Sequence, residues 1–144
     1  MGRNNFWKNK KILITGHTGF KGSWLTLILK NLGAKITGYA LNPITKPNFF
    51  DDLNLSKFLE KDYRENILDT KKLKLIIRKL KPSIAFHLAA QSSVLVSYQK
   101  PKETFETNVI GTLNFLEAIR PIKSIKSAVV VTTDKVYLNL EEKI

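Results

Sequence analysis

Two short segments contain residues whose types and spacing could do chemistry. The first is a glycine-rich run, Gly16-His17-Thr18-Gly19-Phe20-Lys21-Gly22, and the second is Thr132-Thr133-Asp134-Lys135. Glycines with this spacing allow a tight turn, the close approach of main chain to a pyrophosphate, and close packing of the helix that follows. The free N–H groups at the start of that helix favour phosphate oxygens. We therefore predict a dinucleotide site at the turn, formed by Gly16, Thr18, Gly19, Phe20, Lys21 and Gly22.

The elements that must position these residues alternate along the chain between strand and helix. Short apolar runs predict five strands, at residues 11–15, 35–40, 62–67, 83–88 and 127–132. Helical patterns cover residues 21–31, 70–81 and 101–120, and residues 92–100 are predicted to be a loop. This alternation is typical of a parallel sheet covered on both faces. We predict an α/β fold, a Rossmann-type doubly wound parallel sheet with strand order 3-2-1-4-5, truncated after the fifth strand.

Apolar residues recur at helical spacing in each of the three long helices, and we expect these residues to face the sheet. Each set follows a spacing of three or four residues. The predicted buried sets are Leu25, Ile28, Leu29 and Leu32 in the first helix, Leu73, Ile76, Ile77 and Leu80 in the second, and Phe105, Val109, Leu113 and Leu116 in the third.

The composition is that of one ordinary globular domain with a large excess of positive charge. The chain has 144 residues, 43% of them hydrophobic, a formal net charge of +12 and no Cys. The lack of Cys excludes disulfides and thiolate zinc sites, and no cluster of other ligand residues predicts a metal site. Neither an apolar run of about 18 residues nor a signal peptide is present, so we predict a cytoplasmic protein without a membrane partner.

Positive charge is concentrated at residues 71–81, which contain six Lys and Arg residues. A basic stretch raises the possibility of nucleic-acid binding. Here it coincides with a predicted helix and does not alternate with aromatic residues, so we interpret it as a solvated helix face. We therefore predict that nucleic acid is not a partner. Only the net positive charge favours the alternative, a nucleic-acid-binding protein.

Six motifs occur in the same order as in a known group of enzymes. Together they cover nearly the whole chain from Phe6 to Tyr137, and they resemble the extended short-chain dehydrogenase/reductases, in particular the CDP-glucose 4,6-dehydratase branch. The branch rests mainly on residues 16–24, on residues 38–41 and on Asp134-Lys135, where related dehydratases usually have Asp-Glu. The motifs are Phe6-Trp7-Lys8, residues 16–24, Thr37-Gly38-Tyr39-Ala40-Leu41, His87-Leu88-Ala89-Ala90-Gln91, Thr107-Asn108-Val109-Ile110-Gly111-Thr112 and Thr132-Thr133-Asp134-Lys135.

The resemblance implies that NAD is the cofactor, CDP-glucose the substrate and a homodimer the assembly. It places Leu88, Ala89 and Ala90 along the cofactor, and Asn66-Ile67 at the adenine, where the family usually has Asp-Ile. Asn108 would set the main-chain geometry behind the active site. No acid or Arg occurs in residues 38–42, at the end of the second strand, so the preference for NAD over NADP rests on the resemblance alone.

The resemblance also implies roles in sugar-nucleotide dehydration, in which C4 is oxidised, water is lost across C5 and C6, and hydride returns to C6. Asp134 would protonate the leaving hydroxyl, and Thr133 would bind the C4 oxygen. Lys135 occupies the position of the C5 base. An ordinary ammonium cannot accept a proton, so Lys135 needs a lowered pKa or another task, such as stabilising the enolate.

The Tyr-x-x-x-Lys pair of the family follows the fifth strand, and this sequence does not supply it. Tyr98 and Lys102 have the spacing, but Pro101 stands between them, and Tyr137 is followed by Glu141 at the fourth place. We therefore interpret residues 1–144 as the N-terminal, NAD-binding part of such an enzyme, without its substrate lobe and inactive alone. The alternatives are another sugar-nucleotide epimerase or dehydratase, and a non-catalytic nucleotide-binding fragment.

Overall fold

The computed structural model describes residues 5–133 and contains one parallel sheet of five strands. The strands are β1 (Lys11–Thr15), β2 (Lys35–Ala40), β3 (Lys61–Arg64), β4 (Ile84–His87) and β5 (Ser127–Val130). Their order in the sheet is β3-β2-β1-β4-β5. The predicted α/β fold and strand order are therefore confirmed. The order reverses between β1 and β4, which is where open α/β sheets bind ligands.

Six α-helices connect the strands in the described part of the chain. They are α1 (Phe20–Asn31), α2 (Phe49–Asp52), α3 (Thr70–Leu80), α4 (Val94–Gln99), α5 (Pro101–Phe105) and α6 (Gly111–Ile119), and one π-helical turn (Glu106–Ile110) joins α5 to α6. Short 3₁₀ turns occur at Asn5–Trp7 and Leu55–Phe58. None of the helices described is long and apolar enough to cross a membrane.

Each face of the sheet has its own hydrophobic core. On one face, α1 covers strands β1, β2 and β4 through a cluster that includes Ile14, Leu29 and Ile36. On the other face, α3 and α6 pack together over the sheet, around Leu73 and Phe115. The side chains of a strand alternate between faces, so neighbouring residues of β1 contribute to different cores. Helices on both faces therefore leave the carboxyl edge of the strands as the place for a site.

Local hydrogen bonds explain where the observed boundaries differ from the predicted ones. β3 ends at Arg64, before the predicted end at residue 67, because the chain turns there and the Asn66 side chain accepts from the Leu68 amide at 2.9 Å. The predicted loop at 92–100 contains the helix α4, whose first turn is capped by the Ser93 hydroxyl at 3.3 Å from the Val96 amide. Both differences come from short polar side chains that satisfy main-chain groups.

The predicted buried face of α6 and of the segment before it is wrong. Phe105 is 68% exposed, and the other three residues of the set, Val109, Leu113 and Leu116, are exposed as well. The buried residues are instead Gly111, Phe115, Ala118 and Ile119. The predicted residues are exposed both before and after the π-helical turn at Glu106–Ile110, so the hydrophobic stripe marks an apolar face that the described part of the chain leaves uncovered.

The predicted buried face of α1 is also partly wrong, because Ile28 and Leu32 are exposed. The residues that face the sheet are mostly small or hydroxylated: Gly22, Ser23, Thr26 and Leu29. The helix lies too close to the strands for larger side chains at its start. The buried Thr26 hydroxyl donates to the Gly22 carbonyl at 2.8 Å, so its burial leaves no hydrogen bond unmade. The stripe predicted for α3 is confirmed, with Leu73 and Ile77 buried and Ile76 and Leu80 packed against them.

Two substitutions of the same residue type test the observed face of the last helix. Phe115→Ala removes a ring with no exposed surface, whereas Phe105→Ala removes one that is 68% exposed. We expect the buried change to lower the free energy of unfolding by about 3–5 kcal/mol, and the exposed one by about 0.5 kcal/mol or less. Urea denaturation followed by circular dichroism measures both. Equal losses would contradict the observed helix orientation.

Candidate functional site

The glycine turn follows β1 and is held against two neighbouring segments. Gly16 has a φ of +73°, and a Cβ there would lie 2.6 Å from the Ala89 amide nitrogen. A Cβ on Gly22 would lie 2.1 Å from the Gly16 carbonyl oxygen. A Cβ on Gly19, by contrast, would make one ordinary contact, at 3.4 Å from the Gly16 oxygen. The fold therefore requires glycine at positions 16 and 22 but has room for a side chain at position 19.

The helix α1 begins at the turn with main-chain donors that no side chain caps. Gly19 is its N-cap and makes no side-chain hydrogen bond, and the first turn contains no acidic residue. The N–H groups at the start of a helix need acceptors, and the helix dipole favours an anion there. Thr18 donates its hydroxyl to the Leu41 carbonyl at 2.9 Å, which ties the turn to the segment after β2.

A buried histidine inside the turn is a residue that sequence reasoning missed. His17 Nε2 lies 2.9 Å from Asp62 Oδ1, and Arg64 donates to the second oxygen of Asp62 at 2.8 Å. Burial lowers the pKa of His17 below its ordinary value of 6.5, and the nearby Asp62 carboxylate opposes that shift. The available signal was Gly38, because a glycine inside a strand often marks a close approach by another group.

A second buried histidine, His87, links three elements through a directed chain of hydrogen bonds. Thr112 donates its hydroxyl to the Asn108 carbonyl at 2.6 Å, so its oxygen accepts from His87 Nε2–H at 3.0 Å. His87 Nδ1 then accepts from the Thr15 hydroxyl at 2.7 Å. The same Thr15 oxygen accepts from the Ala89 amide at 3.3 Å. The chain assigns His87 to the neutral form protonated at Nε2.

The environment of His87 favours this neutral form. The ring is 2% exposed and stacks on Phe115 with 4.6 Å between ring centroids. Burial lowers the pKa of His87 from its ordinary value of 6.5 to about 4. The pairing leaves both ring nitrogens bonded to hydroxyls, and His87 is therefore a structural link between β1, β4 and α6.

The loop after β4 is held by Asn108 in the π-helical turn. The Asn108 side chain accepts from the Gln91 amide at 2.8 Å and donates to the Gln91 carbonyl at 2.9 Å. Both polar ends of the amide are thus used on main chain, so Asn108 shapes the loop that contains Ala89 and Ala90. The Asn108 carbonyl also accepts from Thr112, which bonds to His87. The hydrogen bonds of His87 and those of the Asn108 side chain therefore meet at Asn108.

The other predicted site residues fall into two groups. Leu88 and Ala89 lie beside the turn, because the Leu88 amide donates to the Thr15 carbonyl at 3.0 Å, and Ala90 follows at the exposed end of this segment. Phe20 and Lys21 are exposed at the start of α1, near Gly19. The structure thus brings the glycine turn and residues 88–90 together at the carboxyl edge of β1 and β4.

Five predicted residues lie apart from the carboxyl edge of β1 and β4 or outside the described chain. Ile67 is buried, packs against Gly111, and accepts with its carbonyl from Asn114 at 3.3 Å. The Asn66 side-chain oxygen accepts from Leu68. Thr133 is exposed beyond the carboxyl end of β5. Asp134 and Lys135 lie outside the described residues. Among residues 5–133, no three His, Asp or Glu side chains are grouped to hold a metal ion.

Comparisons with known proteins give consistent relatives. A family model described as GDP-mannose 4,6-dehydratase matches residues 13–143. The CDP-glucose 4,6-dehydratase of Salmonella typhimurium is 46% identical over 137 residues, which are 95% of this chain and 38% of that enzyme. The resemblance predicted from the sequence motifs is therefore confirmed.

Solved structures of UDP-glucose 4-epimerases have the same fold. The Thermotoga maritima enzyme, solved with UDP-glucose, has a TM-score of 0.73 and 30% identity, with 85% of this chain and 38% of that chain covered. The Thermus thermophilus enzyme, solved in complex with NAD, has a TM-score of 0.68 and 31% identity, with 81% and 36% covered. The chain spans about two fifths of the length of these relatives.

The burial of neutral His87 predicts a loss of stability in mild acid. The unfolded state binds a proton near pH 6.5 and the folded state only near pH 4, so the stabilisation is complete above pH 6.5 and is lost as the pH falls toward 4. We expect this group to account for about 3 kcal/mol of the free energy of unfolding. Urea denaturation at several pH values, compared with His87→Gln, measures it. An equally steep pH dependence in the variant would contradict the assignment.

Proposed function

The chain belongs to the GDP-mannose 4,6-dehydratase family of sugar-nucleotide enzymes, and we propose that residues 1–144 form the NAD-binding part of a CDP-glucose 4,6-dehydratase. The 46% identity to the Salmonella typhimurium enzyme supports the choice of CDP-glucose. The carboxyl edge of β1 and β4, with the glycine turn at its centre, is the proposed cofactor site.

One observation carries the cofactor proposal, and it is the free space at Gly19. The fold explains the glycines at positions 16 and 22, because a Cβ at either would collide with main chain. It does not explain Gly19, whose Cβ would meet nothing closer than 3.4 Å. A glycine that the fold does not need, beside uncapped helix donors, fits a bound pyrophosphate that must approach the main chain closely.

The residues around the turn fit the rest of a dinucleotide. The amides at the start of α1 would hold the phosphates, and Leu88, Ala89 and Ala90 would line the nicotinamide half with small side chains and main chain. Asn66 and the Ile67 main chain would lie at the adenine. When bound, NAD supplies the acceptor for the hydride removed from C4 of the sugar, and Asn108 keeps the loop after β4 in position.

The residues after β5 would act on the sugar in this proposal. Thr133 would hydrogen-bond the C4 oxygen, Asp134 would protonate the hydroxyl that leaves C6, and Lys135 would stabilise the enolate or accept the C5 proton. Thr133 follows the carboxyl end of β5, where open α/β sheets bind ligands, and Asp134 and Lys135 come next in the sequence, which supports these roles. The homodimer that the resemblance implies is part of the same proposal.

A graded series at Gly19 tests the cofactor site. Gly19→Ala and Gly19→Val add one and three carbons where the pyrophosphate would approach. We expect the affinity for NAD to fall stepwise, by at least tenfold for Val, or about 1.4 kcal/mol. Calorimetry with NAD measures the affinity, and the unfolding free energy of each variant is the control because Gly19 has room for a Cβ. Unchanged affinity in a folded Val variant would refute the assignment.

The 144-residue chain is expected to bind NAD without turning over CDP-glucose. Oxidation at C4 needs a base at the hydroxyl, which the family provides with a Tyr-x-x-x-Lys pair on one helix. Tyr98 is 82% exposed near the end of α4, and Lys102 belongs to α5, so the two do not share a helical turn. Purified protein with NAD and CDP-glucose should form no 4-keto-6-deoxy sugar. Product above background would show that another group acts as the base.

A further inference from the structure

We propose that His17 is a positioning residue for the cofactor, whose ring occupies a slot above Gly38 and thereby holds the glycine turn in its phosphate-binding shape. This inference rests on the proposed function, because it concerns the same turn. It adds a residue and a mechanism that the glycine pattern does not contain. The buried His17 ring lies over Gly38 of β2 and reaches Asp62 of β3, so it would act through main chain and not by touching the cofactor.

The slot is created by the missing side chain at Gly38 in the middle of β2. A Cβ on Gly38 would lie 2.5–2.6 Å from three atoms of the His17 ring. The ring has no exposed surface, and the Phe50 ring closes the slot edge-on at 5.3 Å between centroids. The ring and the strand therefore fit only when residue 38 has no side chain.

An ion pair on β3 fixes the ring inside this slot. His17 Nε2 bonds to Asp62 at 2.9 Å, and the Arg64 guanidinium holds the other Asp62 oxygen at 2.8 Å while lying 4.7 Å above the Phe50 ring. Arg64 balances the charge of Asp62. The Asp62 carboxylate thus anchors the turn, and its pairing with Arg64 reduces repulsion of an anion bound at the turn.

The main chain of the turn is bonded on both sides of the His17 side chain. The Gly16 amide donates to the Tyr39 carbonyl at 2.9 Å, and the His17 carbonyl accepts from the Ser23 hydroxyl at 3.1 Å. Thr18 donates to Leu41. A displaced ring must move the residues between these bonds, which are the residues that lead to Gly19. The position of the ring and the shape of the turn are therefore coupled.

A double-mutant cycle between positions 17 and 38 tests this coupling. In Gly38→Ala the added methyl group displaces the His17 ring, and we expect NAD binding to weaken by at least tenfold. In a His17→Ser background the ring is gone, so the same change should alter the affinity by less than twofold. Calorimetry with NAD measures all four proteins, and thermal unfolding confirms that each is folded. Equal effects of Gly38→Ala in both backgrounds would overturn the proposal.

Substitutions at Asp62 distinguish the positioning of the His17 ring from an effect of net charge on NAD binding. They can be measured even if the Gly38→Ala variant does not fold. Asp62→Ala makes the protein more positive, which by charge alone should favour an anionic dinucleotide. We expect it instead to weaken NAD binding by about fivefold or more, because the ring loses its anchor. Asp62→Asn keeps an oxygen that can accept from Nε2–H, but its amide NH2 faces the Arg64 donor, so we expect a smaller loss of affinity than in Asp62→Ala. Asp52→Ala, an exposed acid on α2, is the charge-matched control.

The outcomes distinguish failure of the inference from failure of the proposed function. If the unaltered chain binds NAD and Asp62→Ala behaves like Asp52→Ala, the cofactor site stands and the positioning role of His17 is wrong. Equal losses in Asp62→Ala and Asp62→Asn would also contradict anchoring through a hydrogen bond. If the unaltered chain does not bind NAD, the proposed function fails, and the inference fails with it.

Discussion

The close packing of α1 on the glycine turn, and of that turn on the segment after β4, is the constraint on which the rest of the site depends. Gly16 and Gly22 permit it, because a Cβ at either position would lie less than 3 Å from main-chain atoms. The same close packing explains why the buried face of α1 is composed mostly of small and hydroxylated residues. It also brings the start of the helix, with its uncapped N–H groups, to the carboxyl edge of the sheet, where the strand order reverses.

Two buried histidines stabilise opposite sides of this edge in different ways. His87 is neutral and bonded to two hydroxyls, so it joins β1, β4 and α6 without bringing charge into the core. His17 is bonded to a carboxylate that an arginine neutralises, and it joins the turn to β3. A buried polar group is costly unless it is paired. His87 meets this requirement at both ring nitrogens and His17 at Nε2, with partners from distant parts of the chain. The two sides of the proposed cofactor site are thus held by side chains that do not lie on its surface.

The regular parts of the fold could be predicted well from the sequence. The limits of β1 and β2 were predicted correctly, because short apolar, partly β-branched runs ending in glycine or a turn have few alternative structures. The helix faces were harder. In α1 the periodic leucines and isoleucines predicted a contact face that is only partly right, because closeness to the sheet also selected Gly22, Ser23 and Thr26. In α6 the periodic apolar residues lie on the exposed face, whereas Phe115, Ala118 and Ile119 pack on the sheet.

The sequence by itself determined the fold class, the strand order and the place of the glycine turn, because these follow from local patterns and from the handedness of parallel connections. The family resemblance was also carried by short motifs that can be found without coordinates. Only the tertiary structure decided which glycine the fold does not require, since the space around Gly19 depends on where Gly16 and the helix lie. It alone paired His17 with Asp62 and His87 with Thr15, because 45 and 72 residues separate these partners. Contacts at such separation arise from the packing of whole elements, and no local pattern encodes them.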